Sequence, residues 1–283
     1  MPSATPAIEV AGLEKHYADV RAVDGLSLTV DAGEVFGLLG PNGAGKTTTV
    51  EILEGYRERT AGAVEVLGAD PQRAPRGWRD QVGVVLQSSS LYPSLTVGES
   101  LRVFAGYYTR PRDPDEVTTI VGLDEKKDAR VRTLSGGQKR RLDLGLALIG
   151  DPDLIFLDEP TTGFDPGARR AAWETIRSLR ALGKTILLTT HYLDEAEQLA
   201  DRVAVLRDGA IVREGTPAEL TGGGTGTEIR YRRNGSEIVE RTDDPTHRLH
   251  ELTSEALQRG ELLDGLEVRR PTLEDVYLEL TSE

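Results

Sequence analysis

Apolar residues fall along this chain in two patterns: short unbroken runs, and stripes at a spacing of three to four. The unbroken runs lie at Val35–Leu39, 82–86, 154–157 and Thr185–Thr190. Runs of this length without alternation predict strands buried on both faces. Residues 203–206 and 211–212 flank Arg207-Asp208-Gly209-Ala210, an Asp-Gly hairpin signal. Residues 8–10 and 26–30 predict strands of a hairpin-rich edge region, with Asp31-Ala32-Gly33-Glu34 as a turn. The striped segments predict helices over 46–56, 97–108, 137–150, 166–182 and 193–200. In the fourth of these, Trp173, Ile176 and Leu179 share a face and Gly183 follows the end. Buried strands alternating with helices imply an α/β fold, with a mainly parallel sheet covered on both faces. A ligand then belongs at the carboxyl ends of the strands.

Two stretches break the alternation. Residues 88–132 carry Pro93, Pro111, Pro114 and the charged run 124–132, which marks a helical insertion at about 88–135. Within it Leu91, Tyr92 and Leu95 are apolar in a Pro- and Ser-rich stretch, so they suit either a docking surface or the local core. Thr221-Gly222-Gly223-Gly224-Thr225-Gly226 has the composition of a flexible linker. It predicts a division into domains 1–221 and 222–283. The second contains expected strands at 228–232, 236–241 and 266–269, and helices at 245–259 and 272–280, a small α+β appendage. In its last helix Leu273, Val276, Tyr277 and Leu280 recur at spacings of three and four.

Composition narrows the class. The chain has 283 residues, 38% hydrophobic and 29% charged, and the longest apolar runs fall far short of the ~18 residues that cross a bilayer. The start, Met1-Pro2-Ser3-Ala4-Thr5-Pro6, lacks a basic region and an apolar core, so no signal peptide is expected and a cytosolic location fits. With no cysteine, disulfides and thiol chemistry are excluded. A net charge of −13 argues against nucleic acid as a partner and against direct adsorption to an anionic membrane.

The chemistry is concentrated in short segments. Gly40-Pro41-Asn42-Gly43-Ala44-Gly45-Lys46-Thr47, continued by Thr48, follows a buried strand and opens a helix. Glycines there let successive backbone N–H groups turn toward phosphates. Lys46 supplies a cation for the β- and γ-phosphates and Thr47 a hydroxyl for Mg²⁺. The helix start favours the same anion. A second buried strand ends in Asp158-Glu159, placing Asp158 near Mg²⁺ and Glu159 where it can activate the attacking water. Ser135 is a good N-cap, and Gly136 and Gly137 expose N–H groups at a helix start.

In this order, with Leu134-Ser135-Gly136-Gly137-Gln138 between Gln87 and Asp158, the chain resembles the ATP-binding subunits of ABC transporters over about residues 8–217. The resemblance implies ATP and Mg²⁺ as ligands and a P-loop ABC ATPase fold with an antiparallel β edge region. It implies that Ser135, Gly136, Gly137 and Gln138 face the γ-phosphate held by a second copy, so that the chain acts as a homodimer. It makes Gln87 the Q-loop sensor of Mg²⁺ or the γ-phosphate, and His191 the switch histidine that contacts that phosphate. Tyr17 is expected to stack on adenine, and Asp165 to lie in the D-loop at the dimer interface. Phe164 departs from the usual Leu or Ala there. Glu159, His191, Lys46 and Gln87 form the expected catalytic set.

The resemblance also implies a separate transmembrane permease, hence a peripheral place on the cytoplasmic face of the membrane. The tail 271–280 and Gln138-Lys139-Arg140-Arg141-Leu142 are similar to daunorubicin-type drug and antibiotic exporters. A soluble ABC ATPase of translation or repair, and the ATPase of a lipid, polysaccharide or import system, remain as alternatives.

Overall fold

The computed structural model describes residues 5–86, 91–221, 227–233, 235–269 and 272–281. It divides into two compact units, Met1–Glu214 and Gly215–Glu283. The division falls seven residues before the boundary read from the glycine run, and residues 222–226 of that run lie outside the described residues.

In the first unit, β1 (Ile8–Tyr17), β2 (Val20–Val30) and β4 (Ala61–Val66) form an antiparallel sheet in the order β2-β1-β4. The second sheet follows the order β5-β6-β7-β3-β8-β9. Its strands are β3 (Val35–Leu39), β5 (Val82–Val85), β6 (Leu154–Asp158), β7 (Thr185–Thr190), β8 (Arg202–Arg207) and β9 (Ala210–Gly215). The pairs β5/β6, β6/β7, β7/β3 and β3/β8 are parallel. Six helices accompany these strands: α1 (Lys46–Leu53), α2 (Val97–Ala105), α3 (Pro114–Ile120), α4 (Gly136–Leu148), α5 (Pro166–Ala181) and α6 (Leu193–Leu199).

The unbroken apolar runs have their explanation in the core. Phe36 and Leu38 of β3, with Leu154 and Phe156 of β6, join the cluster that includes Ile8, Val10 and Leu28 of the antiparallel sheet. Their neighbours Val35, Ile155 and Leu157 point the other way, into a cluster with Leu101, Leu142 and Ile176 from the helices. A strand sandwiched in this way has no wet face, so every position is apolar.

Several elements differ from the sequence-based expectation. β1 and β2 extend well beyond 8–10 and 26–30, because the antiparallel sheet keeps an exposed face and its polar positions hide the strands. β4 has no counterpart in that reading. Gly62 weakens its strand pattern, yet a Cβ there would lie 2.3 Å from the Gly12 carbonyl oxygen, so the two backbones require glycine. α1 stops at Leu53 instead of 56. Gly55 takes φ 73° just beyond it, with its Cβ position 2.8 Å from the Pro71 carbonyl oxygen. α2 stops at Ala105, and the Tyr108 ring occupies the space beside Gly150. Of the apolar trio in the insertion, Tyr92 is exposed, while Leu91 and Leu95 are half-buried.

In the second unit, β10 (Thr227–Arg233), β11 (Ser236–Thr242) and β12 (Asp264–Arg269) form an antiparallel sheet in the order β11-β10-β12. Against it, Leu252 of α8 (Pro245–Arg259) packs with Ile229 and Tyr231. The other face carries Glu228, 2% exposed and ion-paired to Arg230 and Arg241 at 3.0 and 3.1 Å. Helices α7 (Pro217–Leu220) and α9 (Leu273–Thr281) complete the unit. Leu273 and Val276 of α9 are buried, and the side chain of Leu280 lies outside the described residues. No helix among the described residues is long and apolar enough to cross a membrane.

Candidate functional site: a phosphate-binding cavity

The loop from Gly40 to Gly45 leaves the carboxyl end of β3 and runs into α1. Gly43 and Gly45 sit at φ 84° and 101°. A Cβ on Gly45 would come within 2.3 Å of the Ala22 carbonyl oxygen, so both its conformation and its surroundings demand glycine. The β8–β9 hairpin braces the loop from behind. Asp208 and Gly209 take φ 48° and 81°, as the predicted two-residue turn requires. The Gly209 N–H donates to the Ala44 carbonyl at 3.1 Å, and its carbonyl accepts from the Asp24 N–H at 3.0 Å.

Lys46 is 5% exposed. Its Nζ donates to the carbonyls of Gly40 at 2.7 Å and Pro41 at 3.1 Å, folding the side chain back over its own loop. Burial lowers its pKa, and the charges of Glu159 and Asp158 oppose that shift. Both carboxylates therefore lie near enough to favour the ammonium. A cavity of about 500 Å³ opens beside it, lined by Asn42, Gly43, Lys46, Thr47, Glu159 and His191 among others.

Glu159 follows β6 at φ 45°, a left-handed conformation rare for a residue with a side chain. Its N–H donates to the Thr189 carbonyl at 3.1 Å and to Thr189 Oγ1 at 3.0 Å. Its carboxylate accepts from Thr162 Oγ1 at 3.1 Å, and Oε1 lies 3.2 Å from His191 Nδ1. One residue earlier, Asp158 is 9% exposed and accepts a hydrogen bond from Thr189 Oγ1.

The donor set suits Mg²⁺. Thr47 offers a hydroxyl on the cavity wall, and Asp158 a carboxylate next to Glu159. No group of three or more His, Cys, Asp or Glu suited to a metal occurs among the described residues. A site with one carboxylate, one hydroxyl and the phosphate oxygens of a ligand is the kind that Mg²⁺ takes, since it seldom uses an all-protein cage.

The remaining expected residues lie elsewhere. Ser135 caps α4 in a reciprocal box: its Oγ accepts from the Gln138 N–H at 3.3 Å, and Gln138 Oε1 accepts from the Ser135 N–H at 2.9 Å. That leaves the N–H groups of Gly136 and Gly137 at the helix start without intrahelical acceptors. None of these four residues lines the cavity of its own chain. Asp165 caps α5, accepting from the N–H groups of Gly167 and Ala168, both at 2.9 Å. Tyr17 does not line the cavity either; Lys15 Nζ and the Arg57 guanidinium lie 4.9 and 5.4 Å from its ring centre. Gln87 lies outside the described residues, directly after Leu86.

Thr162, Thr189 and Arg140 are site residues that the sequence reading missed. Arg140 is 7% exposed and donates to the backbone carbonyls of Leu86, Asp158 and Pro160. Its signals in the sequence are a place in the run Gln138-Lys139-Arg140-Arg141-Leu142 and a charge within a helix, neither of which tells a buried from an exposed position.

The loop, the facing carboxylates and their place at the ends of parallel strands define a nucleotide-binding domain of the P-loop class. Residues 23–162 match the family described as ABC transporter. The chain is 43% identical to Nod factor export ATP-binding protein I of Paraburkholderia xenovorans, over 99% of this chain and 98% of that one. It is 44% identical to the protein of the same name from Rhizobium meliloti, over 99% of this chain and 90% of that one. A solved structure described as the ATP-binding subunit of an ABC transporter superposes with a TM-score of 0.71 at 26% identity, covering 98% of this chain and all of its own. The cbiO1 protein of Clostridium perfringens superposes with a TM-score of 0.70 at 27% identity, over 76% of this chain and 90% of its own. The chain belongs to the ABC transporter family. It is an ATP-binding subunit of that family, an ATPase.

Proposed function

We propose that this chain is the ATP-hydrolysing motor of an ABC exporter, acting as a pair of copies on a separate membrane-spanning permease at the cytoplasmic face of the membrane. The observation that carries the reading is the Glu159 carboxylate, held between His191 and Thr162 on the wall of the cavity that Lys46 faces. The word export in the names of the relatives supports the direction of transport. For cargo we favour amphiphilic compounds of the drug or antibiotic kind, on the resemblance of the tail and of the residues after Gln138.

In this reading the backbone N–H groups of residues 42–48 cradle the phosphates, and Lys46 exchanges the carbonyls of Gly40 and Pro41 for phosphate oxygens. Thr47 and Asp158, together with Gln87 as the resemblance implies, would hold Mg²⁺, which would supply charge neutralisation to the phosphates. Glu159 orients the attacking water and draws off its proton. His191 steadies Glu159 and reaches the γ-phosphate, and Tyr17 supplies the surface for adenine. A second copy completes the site with Ser135, Gly136, Gly137 and Gln138, where the N–H groups of Gly136 and Gly137 at the helix start suit an anion. Asp165 lies at the contact between copies. The insertion, with Tyr92 exposed, meets the permease, and the second unit stabilises the pair.

Glu159→Gln tests the reading. ATP binding is expected to persist, while turnover falls by about 10²- to 10⁴-fold, the usual worth of a general base. Near-normal steady-state hydrolysis by the purified variant would remove Glu159 from this role.

A further inference from the structure

Arg140 lies on α4, five residues beyond Ser135, yet its side chain serves the hydrolytic end of its own chain. Its planar fork is spent on three carbonyls. Nε donates to Pro160 at 3.0 Å, Nη2 to Asp158 at 3.0 Å, and Nη1 to Leu86. These carbonyls belong to the end of β6, the segment after Glu159, and the residue after β5 that leads into Gln87. Burying a guanidinium is costly, and an apolar side chain of similar volume is often no worse for stability. The position of those carbonyls offers a reason beyond packing.

The peptide between Asp158 and Glu159 is gripped from both sides. Arg140 holds its carbonyl, and Thr189 holds its N–H through Oγ1 and the backbone oxygen. Two opposed grips fix the plane of a peptide. The residue that follows, Glu159, sits at φ 45°. A left-handed non-glycine residue persists only where its surroundings over-determine it. The Arg140 bond to Pro160 holds the next peptide but one, between Pro160 and Thr161. Glu159 is thus flanked by two carbonyls on one guanidinium, and its carboxylate comes to rest between His191 and Thr162.

We propose that Arg140 is a positioning residue for hydrolysis: by clamping the carbonyls of Asp158 and Pro160 it sets where the Glu159 carboxylate stands in the cavity. The proposal rests on the role given to Glu159 above. Lysine cannot replace arginine here, because one ammonium on a flexible stem does not reproduce a planar fork across three acceptors.

The test is a double-mutant cycle on the full chain. Arg140→Met and Arg140→Lys are made alone and with Glu159→Gln, and ATPase rate, ATP affinity and melting temperature are measured for each. Alone, both Arg140 variants are expected to lower kcat by about 10- to 100-fold, the cost of misplacing a reacting group by roughly 1 Å, with KM and ATP affinity within about twofold of wild type. In the Glu159→Gln background the same changes are expected to cost less than about twofold, because a positioning residue has nothing left to position. A purely structural residue would lower the rate by the same factor in both backgrounds, or lose ATP affinity and melting temperature together. Either result overturns the proposal. So does wild-type kcat in Arg140→Lys, or failure of both Arg140 variants to fold. A Glu159→Gln protein with wild-type turnover is a different outcome: it removes the role of Glu159 itself.

Discussion

Replacing Lys46 with alanine separates what this residue does for the fold from what it does for the nucleotide. Without ligand, the ammonium is held in a nearly buried place by two carbonyls of its own loop. Burial disfavours its charge, so its pKa lies below the ordinary lysine value, and the depressed value means that the fold carries a cost for the ammonium at neutral pH. That cost disappears as pH rises through the folded pKa toward the unfolded one. The substitution removes the cost together with two hydrogen bonds. The freed carbonyls of Gly40 and Pro41 lie beside an open cavity, where water can take the place of Nζ. The melting temperature of the nucleotide-free protein is therefore expected to change little, by no more than about 1 kcal/mol in equivalent stability. The nucleotide loses more. Hydrogen bonds from a charged donor contribute about 1.5–3 kcal/mol, which corresponds to an ATP affinity roughly 10- to 150-fold weaker. Titration calorimetry with Mg-ATP, alongside a thermal melt without nucleotide, measures both halves. Unchanged affinity would refute the placement of the phosphates. A large loss of nucleotide-free stability would show that Lys46 holds the loop together instead.

Other changes probe separate parts of the site. Ser135→Arg, combined with Glu159→Gln, should leave ATP binding by the single chain nearly intact and abolish the ATP-dependent dimer, read by light scattering; a persistent dimer would refute a site shared between copies. Gly45→Ala should abolish ATP binding and lower stability by more than about 2 kcal/mol, because a Cβ would meet the Ala22 carbonyl oxygen at 2.3 Å on a backbone at φ 101°; normal ATP affinity in a melt-stable variant would contradict that geometry. Burial, with smaller contributions from Asp158 and Glu51, raises the pKa of Glu54 to about 8. A raised carboxylate pKa means that stability falls as pH climbs from the unfolded value near 4.5 toward 8. Glu54→Gln should accordingly raise the melting temperature at pH 8 by the equivalent of roughly 1–3 kcal/mol and change it little near pH 5; equal effects at both pH values would refute the shift.

What the sequence made legible follows the range of the interactions involved. The loop from Gly40 to Thr47 reads clearly because its positive φ values and its helix start are set within a few residues, although the approaches that crowd Gly40 and Gly45 come from Leu206 and Ala22, far along the chain. β3, β6 and β7 read clearly because both their faces are dry. β1 and β2 were cut short because their exposed positions break the apolar run, and β4 was lost to a glycine whose reason lies in Gly12, across the sheet. Thr189 and Arg140 escaped because their partners are 18 to 54 residues away in sequence. A threonine inside a buried strand, or an arginine inside a helix, acquires its task only after the strands are brought together. The segment Ser135–Gln138 is legible as a helix cap, and the capping box of Ser135 and Gln138 is what the described structure contains at that point.

The hairpin at Asp208-Gly209 has a consequence in time. β3, which carries the phosphate loop, has β7 and β8 as its two sheet neighbours. The loop itself is braced by Gly209, 164 positions after Gly45. During synthesis at about 5–20 residues per second, Gly209 emerges roughly 8 to 30 s after Gly45. For most of that interval the nascent chain carries the glycines and Lys46 but lacks both flanking strands, β7 and β8, and the brace comes last. Forming them is a long-range closure, slow by its topology. The phosphate loop is thus made early and braced late, and a ribosome-bound chain that ends before residue 209 is expected to bind ATP far more weakly than the full chain.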